Sequence, residues 1–219
     1  MTRLLLLRHG ESTWNTQGRW QGFADPPLSP RGKDQARSAG PLLAPLGISA
    51  VVSSDLRRAR GTAQLIAAAL PSIGPIGIEP GLREYDLGAW SGLTRDEIET
   101  AWPGGVEDWR NGRLPGTPGG ERRAAFVDRI SAALARVAAA RPDQTVLVVS
   151  HSGVIRAVAH SLGQPPQRFP QLAGLWVEAG PGGFRAGPVV SLLDLNQTVT
   201  DEGEGAAHLP PAVVDTPGQ

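Results

Sequence analysis

The sequence contains no cysteine, which excludes disulfides, thiolate metal sites and a cysteine nucleophile. Lysine is almost absent as well: Lys33 is alone among 21 basic residues, and the rest are arginines, a bias we attribute to nucleotide composition. Net charge is missing too, because 21 Asp and Glu balance the bases. A general nucleic-acid or membrane-surface binder is therefore not indicated, and any recognition of an anion must be local. Long apolar runs do not occur. Leu4–Leu7 is too short for a signal peptide, with charge straight after it. The uncharged stretch Leu65–Ile78 is broken by Pro71 and Pro75, so no membrane span is expected and a cytoplasmic location follows as the expectation.

What remains is 219 residues, 40% hydrophobic and 19% charged, enough for one substantial core. No repeat or domain linker is visible, so residues 1–195 are read as a single domain. From Asn196 the chain turns polar and then proline-containing, and residues 196–219 are read as a loosely ordered tail.

Leu4–Leu7 predicts a strand buried on both faces. Ser29-Pro30 opens a helix running to about Ala44, with Ser29 as N-cap and Pro30 in the first turn. Ile48–Ser54 predicts a second strand, Asp55–Leu70 a helix stopped by Pro71, and Ile76–Ile78 a third short strand. Gly88 to Gly120 is irregular apart from a helix at Thr94–Ala101. Gly119–Ala140 is the longest helical pattern, Thr145–Ser150 the clearest strand, and Gly153–Gly163 a helix after it. "AGLWVEA" and "PVVSLLDL" predict the last strands. Strands alternating with helices indicate an α/β fold with a mostly parallel sheet.

In such sheets ligands sit at the carboxyl ends of the strands. Arg8-His9 follows the first strand, Ser53–Asp55 the second, and His151 the strand Thr145–Ser150, while Arg58 lies in the first turn of its helix. Two imidazoles and two guanidiniums converging on one crevice make an anion site, because arginine matches phosphate oxygens and helix N-termini add N–H donors. Glu84 and Asp86, in "LREYDLGAWSGL", supply carboxylates, one of which could protonate a leaving oxygen and then activate water.

"LLRHGESTWN", "QGFADPPLSPRGKDQA", "VSSDLRRARGTA", "LREYDLGAWSGL", "PGGE" and "VVSHSGVIR" occur in that order. Together they resemble the histidine phosphatase superfamily, in its phosphoglycerate mutase-like branch. The resemblance is close from Leu4 to about Arg156. It implies a three-layer α/β/α sandwich and a phosphohistidine intermediate on His9. It further implies that Arg8, Arg58 and His151 bind and stabilise the transferring phosphoryl group, that Asn15 adds a neutral hydrogen bond, and that Glu84 is the proton donor. Gln21, Gly22 and Ser152 fall in matching blocks and are carried over as further substrate contacts. The cycle implies no metal or organic cofactor. Two departures stand out: Arg122 replaces the frequent serine after Gly-Gly-Glu, and Ser152 stands where glycine is common.

Only 67 residues separate Glu84 from His151, as in compact phosphatase members, whereas the mutase branch carries a longer insertion there. Hydrolysis of a small-molecule phosphate ester is the preferred reading; mutase-type transfer and a non-catalytic phospho-ligand binder are the alternatives. A serine hydrolase elbow at Ser152 fails, because G-x-S-x-G would need glycine at Ser150 and Val154. No Walker A or G-x-G-x-x-G pattern follows a strand. Sugar phosphates and phosphoglycerate derivatives lead as substrates. Trp14, Trp20, Phe23, Trp90, Trp102 and Trp109 either line the mouth or pack the loops, and Arg110, Arg113, Arg122 and Arg123 either read a second anionic group or are surface charges. Neither nucleic acid nor membrane is expected as a partner, and a homodimer is left open.

Overall fold

Four consecutive leucines form the middle of β1 (Thr2–Arg8), and each is fully buried. The structure, a computed structural model, describes residues 1–193. Side chains alternate across a strand, so Leu4 and Leu6 enter one core while Leu5 and Leu7 enter another on the opposite face. That two-sided burial is why the run is continuous. β4 (Thr145–Ser150) pairs with β1 in parallel and repeats the pattern, with Val146 and Val148 on one side and Leu147 and Val149 on the other.

β2 (Ala50–Ser53) flanks β4, and β3 (Gly77–Ile78) extends this parallel part of the sheet. Beyond β1 lie β5 (Ala173–Gly180), antiparallel to it, and β6 (Gly183–Ser191), which forms a hairpin with β5. The sheet has six strands in the order β3-β2-β4-β1-β5-β6. α1 (Pro30–Leu43) and α2 (Arg57–Ala67) cover the Leu5/Leu7 face with Ala39, Leu43, Ala63 and Ile66. α5 (Arg123–Ala139) and α6 (Ser152–Ser161) cover the Leu4/Leu6 face with Phe126, Ile130, Val154 and Ile155. The result is the expected α/β/α sandwich with a mostly parallel sheet. α3 (Arg95–Ala101) and α4 (Gly105–Arg110) lie in the connection between β3 and α5.

Local chemistry sets the helix starts. Ser29 Oγ accepts the Gly32 N–H at 2.9 Å, and Thr94 and Glu97 form a reciprocal capping box on α3. The first turn of α1 presses directly on the loop after β1: a Cβ at Gly32 would lie 1.9 Å from the Glu11 carbonyl oxygen. Only glycine admits that approach.

Four elements differ from the sequence expectation. α5 begins at Arg123 instead of Gly119, because Gly119 has φ +69° and Gly116 bridges Arg122, leaving the Gly-Gly-Glu segment as a loop. α4 was not foreseen. β6 starts at Gly183, after a turn with φ +97° there, rather than at Pro188. α2 is shorter than Asp55–Leu70, starting at Arg57. The tail from Asn196, and the last two residues of the strand expected over "PVVSLLDL", lie outside the described residues.

The aromatic rings mostly pack the loops. Trp20, Trp90 and Trp109 are buried against one another at centroid distances of 5.8 to 5.9 Å, with Tyr85 on Trp109 and Trp102 on Trp90. Trp14 and Phe23 alone among the six are partly exposed without belonging to this cluster.

Candidate active site

The β1–β4 register ends with Arg8 opposite Ser150, so the next residue out of each strand is a histidine. His9 and His151 are both fully buried, with ring centroids 5.2 Å apart. The His9 N–H donates to the Ser150 carbonyl at 3.0 Å, which ties the two strand ends together. His9 Nδ1 lies 2.6 Å from the Gly10 carbonyl oxygen. A carbonyl can only accept, so Nδ1 carries the proton and Nε2 carries the ring's lone pair.

Three more sequence candidates meet at this point. Arg8 is buried and donates through Nη1 to the Phe169 carbonyl at 2.8 Å. Arg58, in the first turn of α2, is buried and donates to the carbonyls of Gly22 at 2.9 Å and Ala24 at 2.7 Å. Glu84 is buried with its carboxylate against the start of α6: Oε2 accepts the Gly153 N–H at 3.0 Å and Oε1 accepts its neighbour Tyr85 N–H at 2.9 Å. A Cβ at Gly153 would lie 2.1 Å from Glu84 Oε1, so a side chain there would displace the carboxylate from this position. Asp86, the other carboxylate raised by the sequence, instead accepts the Gly88 N–H at 3.0 Å within its own loop.

Asn15 is buried, and its Oδ1 accepts from both the N–H and the hydroxyl of Ser12, at 2.9 and 3.0 Å. The carbonyl end is therefore occupied, and the amide Nδ2 is its remaining donor. Gln21 Oε1 lies 2.9 Å from the same Ser12 Oγ, so the two amide oxygens share that single hydroxyl proton. Gly22 has φ +50°, and Leu87 N would be 2.9 Å from a Cβ there. Ser152, the first residue of α6, is fully buried.

Ser54 was not read from the sequence as a site residue. It follows β2, and its hydroxyl lies 3.0 Å from His151 Nε2. Burial pushes the His151 imidazole well below its ordinary value of 6.5, and the charges of Arg58, Arg8 and Arg129 push the same way. His151 is thus neutral in the folded protein, while the unfolded chain takes up a proton below about pH 6.5. Folding stability should be full above that pH and fall as pH drops toward the lowered folded value. The expected slope is at most about 1.4 kcal/mol per pH unit. Urea unfolding from pH 7.5 to 5 checks it against His151→Gln, which should lack this component. Parallel curves would contradict the assignment.

Among the described residues, no group of three or more histidines, aspartates and glutamates is arranged to hold a metal ion. No helix among them is long and apolar enough to cross a membrane. The positive charge of the crevice comes from arginine, beside two neutral imidazoles and one carboxyl.

Residues 4–176 match the histidine phosphatase superfamily (branch 1). The chain belongs to this superfamily. The histidine phosphatase is 38% identical to the glucosyl-3-phosphoglycerate phosphatase of Mycolicibacterium vanbaalenii, over 80% of this chain and 83% of that one. It is also 38% identical to a probable phosphoglycerate mutase of Citrobacter koseri, over 69% and 70% of the two chains. A solved structure of mycobacterial glucosyl-3-phosphoglycerate phosphatase with VO3 superposes with a TM-score of 0.76 at 31% identity, covering 84% of this chain and 96% of that one. The relatives named as phosphatases support a phosphoric monoester hydrolase.

Proposed function

We propose that this histidine phosphatase hydrolyses a small phosphorylated metabolite through a phosphohistidine on His9. The observation that carries the proposal is the hydrogen bond from His9 Nδ1 to the Gly10 carbonyl, which orients the ring and places its lone pair on Nε2, the atom we assign to attack phosphorus. In the first step Nε2 attacks phosphorus and the bond to the ester oxygen breaks. Glu84, protonated, gives its proton to that oxygen, and the alcohol leaves. In the second step Glu84 takes a proton from water, the water oxygen attacks phosphorus, and the P–N bond breaks. Phosphate departs and both side chains are restored.

The developing charge on the non-bridging oxygens is assigned to Arg8, Arg58 and His151, with Asn15 Nδ2 as a neutral donor. Preorganised donors are effective in a buried site because they need no reorientation as charge moves. Gln21, Gly22 and Ser152 complete the crevice wall as substrate contacts. A related phosphatase solved with VO3, itself an oxyanion, is in keeping with an anion crevice here.

We assign the ester to the phosphoglycerate derivatives. Arg110 is held below its ordinary value by burial and by the positive charges of Arg95, Arg156 and Arg168. Arg156 is on α6, one turn after Ser152, and Arg168 precedes Phe169, whose carbonyl binds Arg8. A concentration of guanidiniums beside a phosphate site suits a second anionic group such as a carboxylate. Arg113 does not contribute, since it pairs with Asp108 at 2.6 Å, and Arg122 is exposed.

Phosphate release in EDTA from 3-phosphoglycerate, glucosyl-3-phosphoglycerate, sugar phosphates, α-ribazole phosphate and p-nitrophenyl phosphate tests this reading. The carboxylate-bearing esters should have the highest kcat/KM. A preference for uncharged sugar phosphates would overturn the substrate class. Transfer of the phosphoryl group to a second phosphoglycerate in place of water would support the mutase-type reading, which the similarity to the Citrobacter koseri protein favours.

A further inference from the structure

Arg129 lies on α5, outside the crevice, yet its guanidinium makes more hydrogen bonds to the Glu84 loop than any other side chain among the described residues. Nη1 donates to the carbonyls of Gly81 and Arg83, both at 2.9 Å, and Nη2 donates to the carbonyl of Glu84 itself at 3.0 Å. Its remaining capacity goes to Glu121 of the Gly-Gly-Glu loop, through Nη2 at 2.6 Å and Nε at 3.3 Å. Glu121 then completes the grip from the other side: its Oε1 accepts the Asp86 N–H at 2.8 Å, and its carbonyl accepts the Tyr85 hydroxyl. The chain is thus held at Gly81, Arg83, Glu84, Tyr85 and Asp86. The Phe126 ring lies 5.2 Å below the guanidinium and the Phe23 ring 5.5 Å from it, which restricts its plane.

We propose that Arg129 and Glu121 form a clamp that positions the Glu84 carboxyl for proton transfer, Arg129 acting as a positioning residue and not touching substrate. The inference rests on the acid role given to Glu84 above. Proton transfer requires the carboxyl within hydrogen-bond reach of the leaving oxygen, and misplacement by about 1 Å can cost on the order of 100-fold. The Gly153 and Tyr85 N–H groups fix the carboxyl oxygens, and the clamp fixes the backbone from which the carboxyl extends. A lysine at 129 keeps the charge and loses the planar fork that reaches three carbonyls and a carboxylate together.

The test compares Arg129→Lys and Glu121→Gln on two esters. One is 3-phosphoglycerate, whose alkoxide needs a proton to leave; the other is p-nitrophenyl phosphate, whose phenolate departs without one. We expect kcat/KM for 3-phosphoglycerate to fall about 10- to 100-fold in Arg129→Lys, and less in Glu121→Gln. On p-nitrophenyl phosphate kcat/KM, which reports only the steps through phosphohistidine formation and not the later attack of water, should stay within about 3-fold of the parent in both variants. The ratio of the two rates is measured within one sample, so partial unfolding lowers both and leaves it unmoved. Equal losses on both esters, or an unchanged ratio with only a lowered Tm, would overturn the clamp. Failure of the underlying acid role is seen separately, as equal losses of kcat/KM on the two esters in Glu84→Gln.

Discussion

His9→Ala should abolish turnover of every phosphate ester the protein accepts, by a factor on the order of 10⁴ to 10⁶, with the fold retained. The reason is geometric. Nε2 of His9 is oriented by the Nδ1 bond to Gly10, and cysteine, the other strong nucleophile, is absent from the chain. His151 is the neighbouring imidazole at 5.2 Å, but its Nε2 is engaged by Ser54. Alanine at position 9 removes a buried ring and leaves Arg8, Arg58 and His151 in place, so the variant should still bind VO3 or phosphate. Phosphate release assays on the variant, with circular dichroism to verify folding, check both halves of the expectation. Undiminished release would remove His9 from the mechanism.

The second large effect is selective. Glu84→Gln should lower kcat for an alkyl ester by about 100- to 10,000-fold, the range for removing a general acid. On p-nitrophenyl phosphate the loss should be far smaller in the step that forms phosphohistidine, because nitrophenolate leaves without a proton. Glutamine preserves the shape of the side chain, and its carbonyl oxygen can still accept the Gly153 N–H, so the α6 contact survives. What it loses is the ability to give and take a proton. A pre-steady-state burst of p-nitrophenol, followed by slow turnover, would show that water activation is impaired as well. Equal losses on both esters would argue against a proton-donor role and would also remove the basis for the Arg129 clamp.

The convergence of Arg8, His9, Arg58 and His151 could be read in the sequence because each follows a segment with a plain signature. Leu4–Leu7 and Thr145–Ser150 are continuous apolar runs, and the structure ends both strands where charge or histidine begins. Their parallel pairing makes Arg8 face Ser150, so two histidines 142 residues apart become neighbours. Ser29 was readable as an N-cap for an equally local reason. α4 escaped because it spans only Gly105–Arg110 and opens after Gly104 at φ +74°, so it has neither length nor a capping side chain. β6 was displaced because its first half, Gly183–Gly187, is glycine-rich and partly exposed, held as an edge strand by its hairpin partner and not by an apolar pattern of its own.

The clamp was hidden for a different reason. An arginine on a 17-residue helix is usually a solvated side chain, and Glu121 is an ordinary loop carboxylate until the two meet. One trace was present: Arg129 stands three residues after Phe126 and four before Ala133, within the stripe that α5 buries. A charged residue on such a stripe needs a partner, and the sequence alone does not name it. Ser54 was hidden similarly, since its contact with His151 joins positions 97 residues apart. The tryptophans were left open by the sequence, because large rings in loops suit either a mouth or loop packing, and Trp20, Trp90 and Trp109 stack into a core of their own.

The most direct test of the account is to trap the phosphoenzyme. The protein is mixed with a turned-over ester, quenched in base, where phosphohistidine survives, and the peptide that contains His9 is examined by mass spectrometry. A phosphoryl group on His9, absent from His9→Ala and discharged when excess water is allowed time to react, is the predicted result. Steady turnover with no phosphorylated His9 at any quench time would contradict the phosphohistidine mechanism.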